Sequence, residues 1–315
     1  MTVQRLENPP LQGLATVLAE FERQFRYPLG PERSFRIAHG HDYPRFFRAM
    51  GRAGCFVAQG EDGRVLGTLA AVIRHLGYPD GQDEPVAYVA DLKVDARACA
   101  GRTLLRLARA AHAWGAPQTH ACFSVVMDGT RATPPKYTGR LGLPVFTAIA
   151  KMYVIRMPTS DGSGGLVHRT SDGAAGERIY RELSRGRHCS PGGRPAERST
   201  LCPVWFLDSE GRACGRLEDT RKAKRLFDAD GPELMSAHLS CFAFRDVNAG
   251  AAVVRAAAHA AGAMGYPALF FAAAEPDLAS VQKQLGRLDL TVAPATIYGA
   301  GLDAGSLWNI NTAEI

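Results

Sequence analysis

Residues 86–114 constrain the fold of this chain more than any other stretch, because an apolar strand is followed closely by an amphipathic helix. The first nine residues, VAYVADLKV, alternate as a β-strand does, and strict alternation predicts one face formed by Tyr88, Ala90, Leu92 and Val94. Small residues follow, and apolar residues at helical spacing then predict a helix. The first backbone N–H groups of a helix lack intrahelical partners and lie at the positive end of its dipole. They can therefore bind phosphate oxygens.

The same stretch resembles the acyl-CoA signature of the GNAT superfamily of N-acetyltransferases. In that family the loop after the fourth strand cradles the CoA pyrophosphate. It usually reads Arg or Gln, two residues, Gly, one residue, and then Gly or Ala. Gly101 takes the place of the central glycine, whereas Ala98 stands where Arg or Gln is usual and Thr103 where the last small residue is usual. The alternative interpretation is an ordinary turn between a strand and a helix in any α/β protein.

The order of the predicted elements also agrees with that family. A hairpin around Glu61-Asp62-Gly63 precedes the central strand, and further strands are predicted at 120–127 and 145–157, separated by a short helix and turn at 134–143. Residues 1–54 are predicted to be mainly helical. The resemblance implies an α/β (α+β) fold with a mixed, mostly antiparallel sheet flanked by helices.

Part of the pattern recurs later in the chain. Four residues of the hairpin, Gly63, Arg64, Gly67 and Leu69, recur at a shift of 148, and Trp114-Gly115-Ala116-Pro117 is matched at a shift of 150. We interpret this as two copies of one fold, and chance matching of common turn residues is the alternative. The predicted organisation is an N-terminal GNAT-like domain at 1–157, a polar linker at 158–166 and a degenerate C-terminal GNAT-like domain at 167–315. The first copy is the candidate for activity because its loop is more like a phosphate cradle.

Composition narrows the function classes. The chain has 315 residues and a net charge of +6, a balance that suits the phosphates of CoA or an acidic carrier protein. No basic stripe interleaved with aromatic residues occurs, so nucleic acid is disfavoured as a partner. No apolar run approaches the ~20 residues of a membrane span, and the N-terminus lacks a secretory signal. We therefore expect a cytoplasmic protein. Seven cysteines without metal-ligand spacing predict reduced, mostly buried thiols.

The resemblance implies that acetyl-CoA or a longer acyl-CoA is the acyl donor. Backbone N–H groups at the end of the central strand would orient the pantetheine and the acyl carbonyl, and the start of the helix would bind the diphosphate. The residues assigned in this way are Leu92, Lys93, Val94, Ala98, Ala100, Gly101, Arg102 and Thr103. Four arginines also crowd the helix start. Three interpretations of these arginines stay open: a solvated helix face, a binding site for the CoA 3′-phosphate, or a docking site for an acyl carrier protein.

Direct acyl transfer from a thioester needs a base for the nucleophile and a proton donor for the leaving thiolate. The resemblance implies Tyr137 as this donor, since that family often carries a tyrosine near this place and a phenol is neutral at working pH. The alternative is a surface tyrosine packed on the following turn. Asp91 and Asp128 are the predicted bases. For Asp91, a simple ion pair with Lys93 is the favoured alternative, since the two residues share a strand face.

The motif His39-Gly40-His41-Asp42 suggests a metal site, but no further ligand lies nearby, and zinc sites usually need three or four. We predict no metal, and instead a substrate-side loop or a helix cap, with Asp42 as the N-cap.

The predicted function is transfer of an acetyl or longer acyl group from acyl-CoA to an amine or hydroxyl of a small-molecule acceptor. Two alternatives stay open. One is an enzyme that uses acyl carrier protein, similar to N-acyl amino acid synthases. The other is a non-catalytic protein of the same fold that binds a metabolite.

Overall fold

The computed structural model describes residues 1–29, 33–98, 100–130, 132–159, 167–229, 231–286 and 288–315. Its helices are α1 (Gln12–Glu22), α2 (Tyr43–Arg48), α3 (Ala100–Gly115), α4 (Gly173–Leu183), α5 (Pro195–Arg198), α6 (Val247–Ala263) and α7 (Leu278–Leu285). Its strands are β1 (Thr2–Leu6), β2 (Tyr27–Leu29), β3 (Arg33–Ala38), β4 (Arg52–Gln59), β5 (Val65–Gly77), β6 (Asp83–Val94), β7 (Cys122–Met127), β8 (Thr147–Pro158), β9 (Val167–Thr170), β10 (Arg187–Cys189), β11 (Val204–Asp208), β12 (Ala213–Glu218), β13 (Arg225–Asp228), β14 (Ala237–Phe244), β15 (Ala268–Ala274), β16 (Thr291–Ala300) and β17 (Leu307–Asn309). Short 3-10 turns occur at Pro134–Lys136, Glu275–Asp277 and Thr312–Glu314.

Within the described residues, fourteen strands form one large sheet. Twelve of them follow the order β1-β4-β5-β6-β7-β16-β8-β15-β14-β12-β11-β9, and β2, β3 and β13 form a separate small sheet. Most neighbours are antiparallel, with parallel pairs at β6–β7, β14–β15 and β10–β17. Helices lie against the sheet. The predicted fold class, a mixed and mostly antiparallel sheet flanked by helices, is confirmed.

The chain passes twice through the same succession of elements. Strands β4, β5 and β6 lead to α3 and β7, and strands β11, β12 and β14 lead to α6 and β15. The last strands are exchanged, because β16 pairs with β7, β8 pairs with β15, and β8 and β16 pair with each other. The two halves therefore share one sheet. The boundaries at 157 and 167 stay a prediction, and residues 160–166 of the proposed linker lie outside the described residues.

The prediction of a mainly helical region at 1–54 is wrong in part. Helices α1 and α2 are present, but β1 pairs with β4, and β3 pairs with both β2 and β13. Strand β13 comes from the second half of the chain, and pairing of this kind leaves no local periodic signal. Asp42 precedes α2 as predicted, yet its side chain makes no cap and instead accepts a hydrogen bond from Arg48 at 2.7 Å.

The alternation along β6 breaks at Asp91, which has a φ of 54°. The register with β5 shifts beside it, as at a β-bulge. Tyr88 and Ala90 pack into the core on one side of the sheet, whereas Val89 and Leu92 pack towards α3. The single face predicted from strict alternation therefore ends at the bulge. The bulge directs the Asp91 and Lys93 side chains away from α3.

Two expectations from composition concern the whole chain. The six cysteines that the structure describes are free thiols, and Cys55, Cys189, Cys214 and Cys241 are buried. Cys99 lies outside the described residues. None of the helices in the described part of the chain has both the length and the hydropathy that a bilayer span demands.

Candidate active site

Strands β6 and β7 are paired at only two positions, which lie in the middle of β6 and at the start of β7. Ala87 pairs with Cys122 and Tyr88 with Phe123, and beyond Tyr88 the two parallel strands diverge. Strand β6 still pairs with β5 as far as Val94. The side of β6 that faces β7 therefore has backbone N–H and C=O groups without a strand partner. Buried backbone groups need hydrogen-bond partners, so this gap suits an extended ligand with amide groups.

A cavity of about 860 Å³ passes through the sheet at this gap, because its walls come from both faces. We call the part beneath α3 the α3 arm. Its walls include Leu69, Ala71, Val89, Leu92, Gly101, Leu104, Ala108, Ala111 and Gly115. We call the part on the other face the opposite chamber. Its walls include Tyr27, Phe35, Ile37, His39, Phe46, Phe47, Lys224, Leu226, Leu234 and Ile315. Both parts are mainly apolar, and they meet beside Asp91.

The start of α3 lies at the wall of the α3 arm. Gly101 is exposed and lines the cavity, and a Cβ atom at this position would meet no atom within 4 Å. The Thr103 side chain is buried, with its hydroxyl 3.5 Å from the sulfur of Met1, so only its backbone faces the loop. Ala98 donates its N–H to the Asp95 carbonyl at 3.0 Å, so this amide is already used. The first-turn N–H groups at 101–103 are the donors that the helix itself leaves free.

The four arginines near α3 lie at the surface, and three of them contact the protein itself. Arg97 pairs with Asp95 at 3.1 Å. Arg106 donates to the carbonyl of Met1 at 2.7 Å, and Arg109 to that of Leu141 at 3.5 Å. Arg102 is exposed beside Gly101. The cationic patch predicted at the helix start is present, and Arg102 is its member nearest to the first-turn amides.

Lys93 is a buried cation that joins two carboxylates on the side of the sheet away from α3. Its Nζ lies 2.5 Å from Asp91 and 3.0 Å from Glu22. Burial opposes the charge, but the two carboxylates outweigh it and raise the pKa of Lys93. The second oxygen of Asp91 accepts a hydrogen bond from the Tyr43 hydroxyl at 2.5 Å. Asp91 is therefore in the ion pair that sequence analysis favoured, and Lys93 offers the α3 arm only its backbone.

Glu22 also orients a histidine that lines the opposite chamber. One carboxylate oxygen lies 2.6 Å from the His39 Nδ1, and the other accepts the His39 backbone N–H at 3.0 Å. Burial opposes ionisation of Glu22, but Lys93 and His39 outweigh it and lower its pKa to about 2. Glu22 is therefore a carboxylate at neutral pH.

The described residues offer one cluster of metal-ligand type, in which atoms of Glu22, His39 and Asp91 lie within 4.8 Å of one another. The Lys93 ammonium already lies between the two carboxylates as their counter-ion. The motif at 39–42 does not converge on one point, because His41 is exposed and Asp42 accepts a hydrogen bond from Arg48.

Tyr137 and Asp128, the other predicted catalytic residues, lie in different surroundings. Tyr137 lines the cavity, and burial raises its pKa to about 12, so the phenol is neutral at neutral pH. Asp128 follows β7 and accepts a hydrogen bond from the Thr296 hydroxyl at 2.7 Å. Its side chain is not part of the described cavity wall.

The far wall of the opposite chamber comes from the second half of the chain, and sequence analysis did not predict it. Lys224 lies 4.3 Å from the Phe46 ring centre and donates to the main-chain oxygen of Ile315. Burial, with a contribution from Arg198, lowers its pKa to about 7. His238 lies against Phe270, and burial lowers its pKa to about 3. No local motif marks these residues, because pairing between distant strands brings them to the cavity. His238 lies on β14 of the large sheet, and Lys224 precedes β13, which pairs with β3 in the small sheet.

The second half has a matching gap, and the chain itself fills it. Strands β14 and β15 pair only at Ala237–Leu269 and His238–Phe270. Residues 307–314 lie against both strands. The side-chain oxygen of Asn311 accepts the N–H of Cys241 at 2.7 Å. Cys241 has a φ of 49° and corresponds to Asp91 in the first half.

A buried ionic network anchors this filling segment. Glu314 accepts from Arg74 at 2.9 Å and from Arg198 at 3.0 Å, and Arg198 also pairs with Glu218 at 2.8 Å. Removing one partner of a buried pair typically costs 3–5 kcal/mol, because the other charge is left uncompensated. The network thereby fixes the end of the chain against the wall of the opposite chamber.

No family model matches the sequence, and no curated protein matches it. Among solved structures, the chain is similar to Saccharomyces cerevisiae N-myristoyltransferase with bound myristoyl-CoA. One structure has a TM-score of 0.63 and 8% identity, over 99% of this chain and 87% of that one. A second has a TM-score of 0.64 and 8% identity, over 99% of this chain and 83% of that one. A third, which also holds inhibitors, has a TM-score of 0.61 and 8% identity, over 99% and 84%. This likeness concerns the fold, and it spans nearly the whole chain.

Proposed function

We propose that this protein is an acyltransferase that moves a long-chain acyl group from acyl-CoA to an amine. The observation that carries the proposal is the cavity that crosses the sheet between β6 and β7 and extends beneath α3. A donor can enter from one face and an acceptor from the other, so that the two meet at the gap. The fold likeness supports this proposal, because the similar solved structures hold myristoyl-CoA.

In this proposal the CoA diphosphate lies at the start of α3. Gly101 leaves space for it, and the amides at 101–103 donate to its oxygens. Arg102 adds a positive charge beside it. The pantetheine then runs along the unpaired side of β6 towards Asp91.

The thioester carbonyl binds the backbone N–H of Asp91. The second half of the molecule supports this assignment, because the N–H of Cys241, at the matching position, binds the side-chain carbonyl of Asn311. Asp91 contributes its main chain in this proposal, since its carboxylate is held by Lys93 and Tyr43. A fixed N–H donor aimed at the developing oxyanion is a large source of catalysis.

The acyl chain occupies the α3 arm. Beyond Gly101, where the diphosphate lies, the arm is lined from Leu104 to Gly115, which is roughly 16 Å of helix at 1.5 Å per residue. An acetyl group would leave most of this apolar space unfilled. Each buried methylene contributes about 0.8 kcal/mol, so a long chain gains several kcal/mol over acetyl.

Tyr137 is the proposed acid for the CoA thiolate, since it lines the cavity as a neutral phenol. Asp128 as a base remains a prediction from sequence. We propose one donor site per chain, because residues 307–314 fill the matching gap of the second half. In this proposal the second copy is therefore degenerate.

Calorimetry with acetyl-CoA, myristoyl-CoA and an acyl-loaded carrier protein tests the proposal. We expect one myristoyl-CoA per chain, bound at least tenfold more tightly than acetyl-CoA, and amine-dependent release of CoA. Tight binding without release would favour the non-catalytic alternative. If only the acyl-loaded carrier protein binds, the acyl donor is acyl carrier protein and not acyl-CoA. No binding to any of the three would contradict the proposal.

A further inference from the structure

The opposite chamber holds a buried histidine whose one ring nitrogen is fixed by a carboxylate. Glu22 binds both the Nδ1 and the backbone N–H of His39. Among the described residues, the Nε2 of His39 has no hydrogen-bond partner. The ring packs against Tyr43, Phe46 and Phe47, with centroid distances of 5.1–5.4 Å. These contacts hold the ring in one orientation at the cavity wall.

We propose that His39 is the general base of the reaction, positioned by Glu22, and that the acceptor is a primary amine carried on an apolar group. This inference rests on the acyl transfer proposed above. His39 lines the same cavity as Asp91, and a nitrogen of its ring lies within 4.8 Å of the Asp91 carboxylate. The ring therefore lies at the gap near Asp91, the residue whose N–H holds the thioester carbonyl in the proposed function.

The charges around His39 suit a cationic acceptor that must lose a proton. Glu22 from α1 and Asp91 from β6 contribute two negative charges, and Lys93 contributes one positive charge. The cluster is therefore net negative while His39 is neutral, which favours entry of an ammonium group. Lys224, from the segment that precedes β13, lies on the far wall of the chamber. Glu22 then stabilises the imidazolium once the proton has moved.

The walls of the chamber indicate what carries the amine. They are aromatic or aliphatic on the small sheet, on α2 and in the second half, and they include Phe35, Ile37, Phe46, Leu226 and Leu234. An apolar group of the acceptor would gain about 25 cal/mol for each Å² of surface that it buries in the chamber. Its amine would then reach the charged cluster at the gap.

The reaction moves two protons of the acceptor nitrogen and exchanges a C–S bond for a C–N bond. The ammonium gives one proton to the His39 Nε2, and the freed nitrogen lone pair attacks the thioester carbonyl. The C–S bond breaks as the C–N bond forms. The second proton of the nitrogen ends on the CoA thiol, delivered through Tyr137. His39 releases its proton to solvent, which leaves an amide, free CoA and one proton.

The test compares two nucleophiles with myristoyl-CoA as the donor. Phenethylamine is an apolar primary amine that is protonated at neutral pH, whereas hydroxylamine is largely unprotonated there and needs no base before attack. CoA release above the enzyme-free rate is measured for the wild type, His39→Ala and His39→Gln. The exposed neighbour provides a matched control, His41→Ala.

We expect His39→Ala to lower release with phenethylamine by about 10²-fold, the usual scale of general-base catalysis. Release with hydroxylamine should fall less than about threefold, and His41→Ala should change neither rate. His39→Gln, which keeps the size of the side chain, should behave like His39→Ala if His39 acts as a base. Calorimetry with myristoyl-CoA checks that both variants keep the donor site.

Equal losses with both nucleophiles would mean that His39 is merely structural and would overturn the proposal. An unchanged rate with phenethylamine would overturn it as well. A wild type that uses hydroxylamine but not phenethylamine would overturn the acceptor class. A wild type that releases no CoA with either nucleophile would instead contradict the proposed function, on which this inference rests.

Discussion

Cys241 donates its backbone N–H to the side-chain oxygen of Asn311, at 2.7 Å, in the gap between β14 and β15. Asp91 is the matching residue of the first half, at a shift of 150, and the two share positive φ values of 49° and 54°. The second gap is filled by the chain, whereas the first opens into the large cavity. The molecule thus contains an internal example of a carbonyl bound at this kind of bulge. An acyl thioester in the open gap would bind its carbonyl at the matching position, the Asp91 N–H.

Gly101→Glu should weaken the binding of myristoyl-CoA strongly without unfolding the protein. The new side chain adds bulk and negative charge where the diphosphate lies, and Gly101 is exposed with nothing within 4 Å of an added Cβ. We expect a loss of affinity of at least about tenfold, or about 1.4 kcal/mol, measured by calorimetry. The control, Gly101→Ala, should bind almost as the wild type does. Unchanged affinity in Gly101→Glu would place the donor elsewhere.

Ala108→Phe should shorten the acyl chain that the enzyme accepts. Ala108 lines the α3 arm, so a phenyl ring there fills space meant for methylene groups. Affinity for myristoyl-CoA should fall by about tenfold or more, while a short acyl-CoA keeps its affinity. Ala113→Phe, on the exposed side of the same helix, controls for the effect of Phe on helix stability. Equal losses for short and long chains would argue against an acyl arm beneath α3.

Tyr137→Phe should lower turnover while leaving donor affinity unchanged. The substitution removes only the hydroxyl of a neutral phenol at the cavity wall, and general acids typically contribute 10²–10⁴-fold. Steady-state CoA release and calorimetry measure the two quantities. Tyr78→Phe, outside the described cavity wall, serves as the control. Unaltered turnover in Tyr137→Phe would retire this residue as the acid.

Stability should decrease in mild acid because of His238. Burial lowers its pKa from the ordinary 6.5 to about 3. The unfolded chain therefore binds this proton below pH 6.5, whereas the native state resists it. Since the unfolded state then holds more protons, the free energy of unfolding decreases as the pH is lowered. His238 alone lowers it by about 2 kcal/mol at pH 5. Denaturant unfolding of the wild type and His238→Gln at pH 7.5 and pH 5 measures the difference. The gap in stability between the two proteins should shift in favour of the variant at pH 5. An unchanged gap would contradict the prediction.

Sequence alone predicted those features that depend on local chemistry. The hairpin, the central strand, α3 and Gly101 at its start followed from periodicity and turn residues, and the sheet class was implied by the family resemblance. It did not predict the bulge at Asp91, because alternation gives no sign of a left-handed residue within a strand. It also missed β1, β2 and β3, whose pairing depends on distant strands.

The chemistry of the opposite chamber was even less accessible to sequence analysis. Glu22 looks like a surface residue at the end of an amphipathic helix, yet it is buried beside His39 and Lys93. Lys224 and His238 come from the second half. His238 reaches the cavity through the large sheet that the halves share, and Lys224 through the pairing of β13 with β3 in the small sheet. The spacing of the motif at 39–42 suggested a metal site. In the structure, His39 is instead bound by the carboxylate of Glu22.

The most direct test of the account is a crystal structure with a non-hydrolysable, long-chain thioether analogue of acyl-CoA. We predict that the diphosphate lies at the amides of 101–103, the carbonyl lies within hydrogen-bond distance of the Asp91 N–H, and the chain runs beneath α3 past Ala108. An analogue bound with its nucleotide away from Gly101, or with its chain outside the α3 arm, would contradict it.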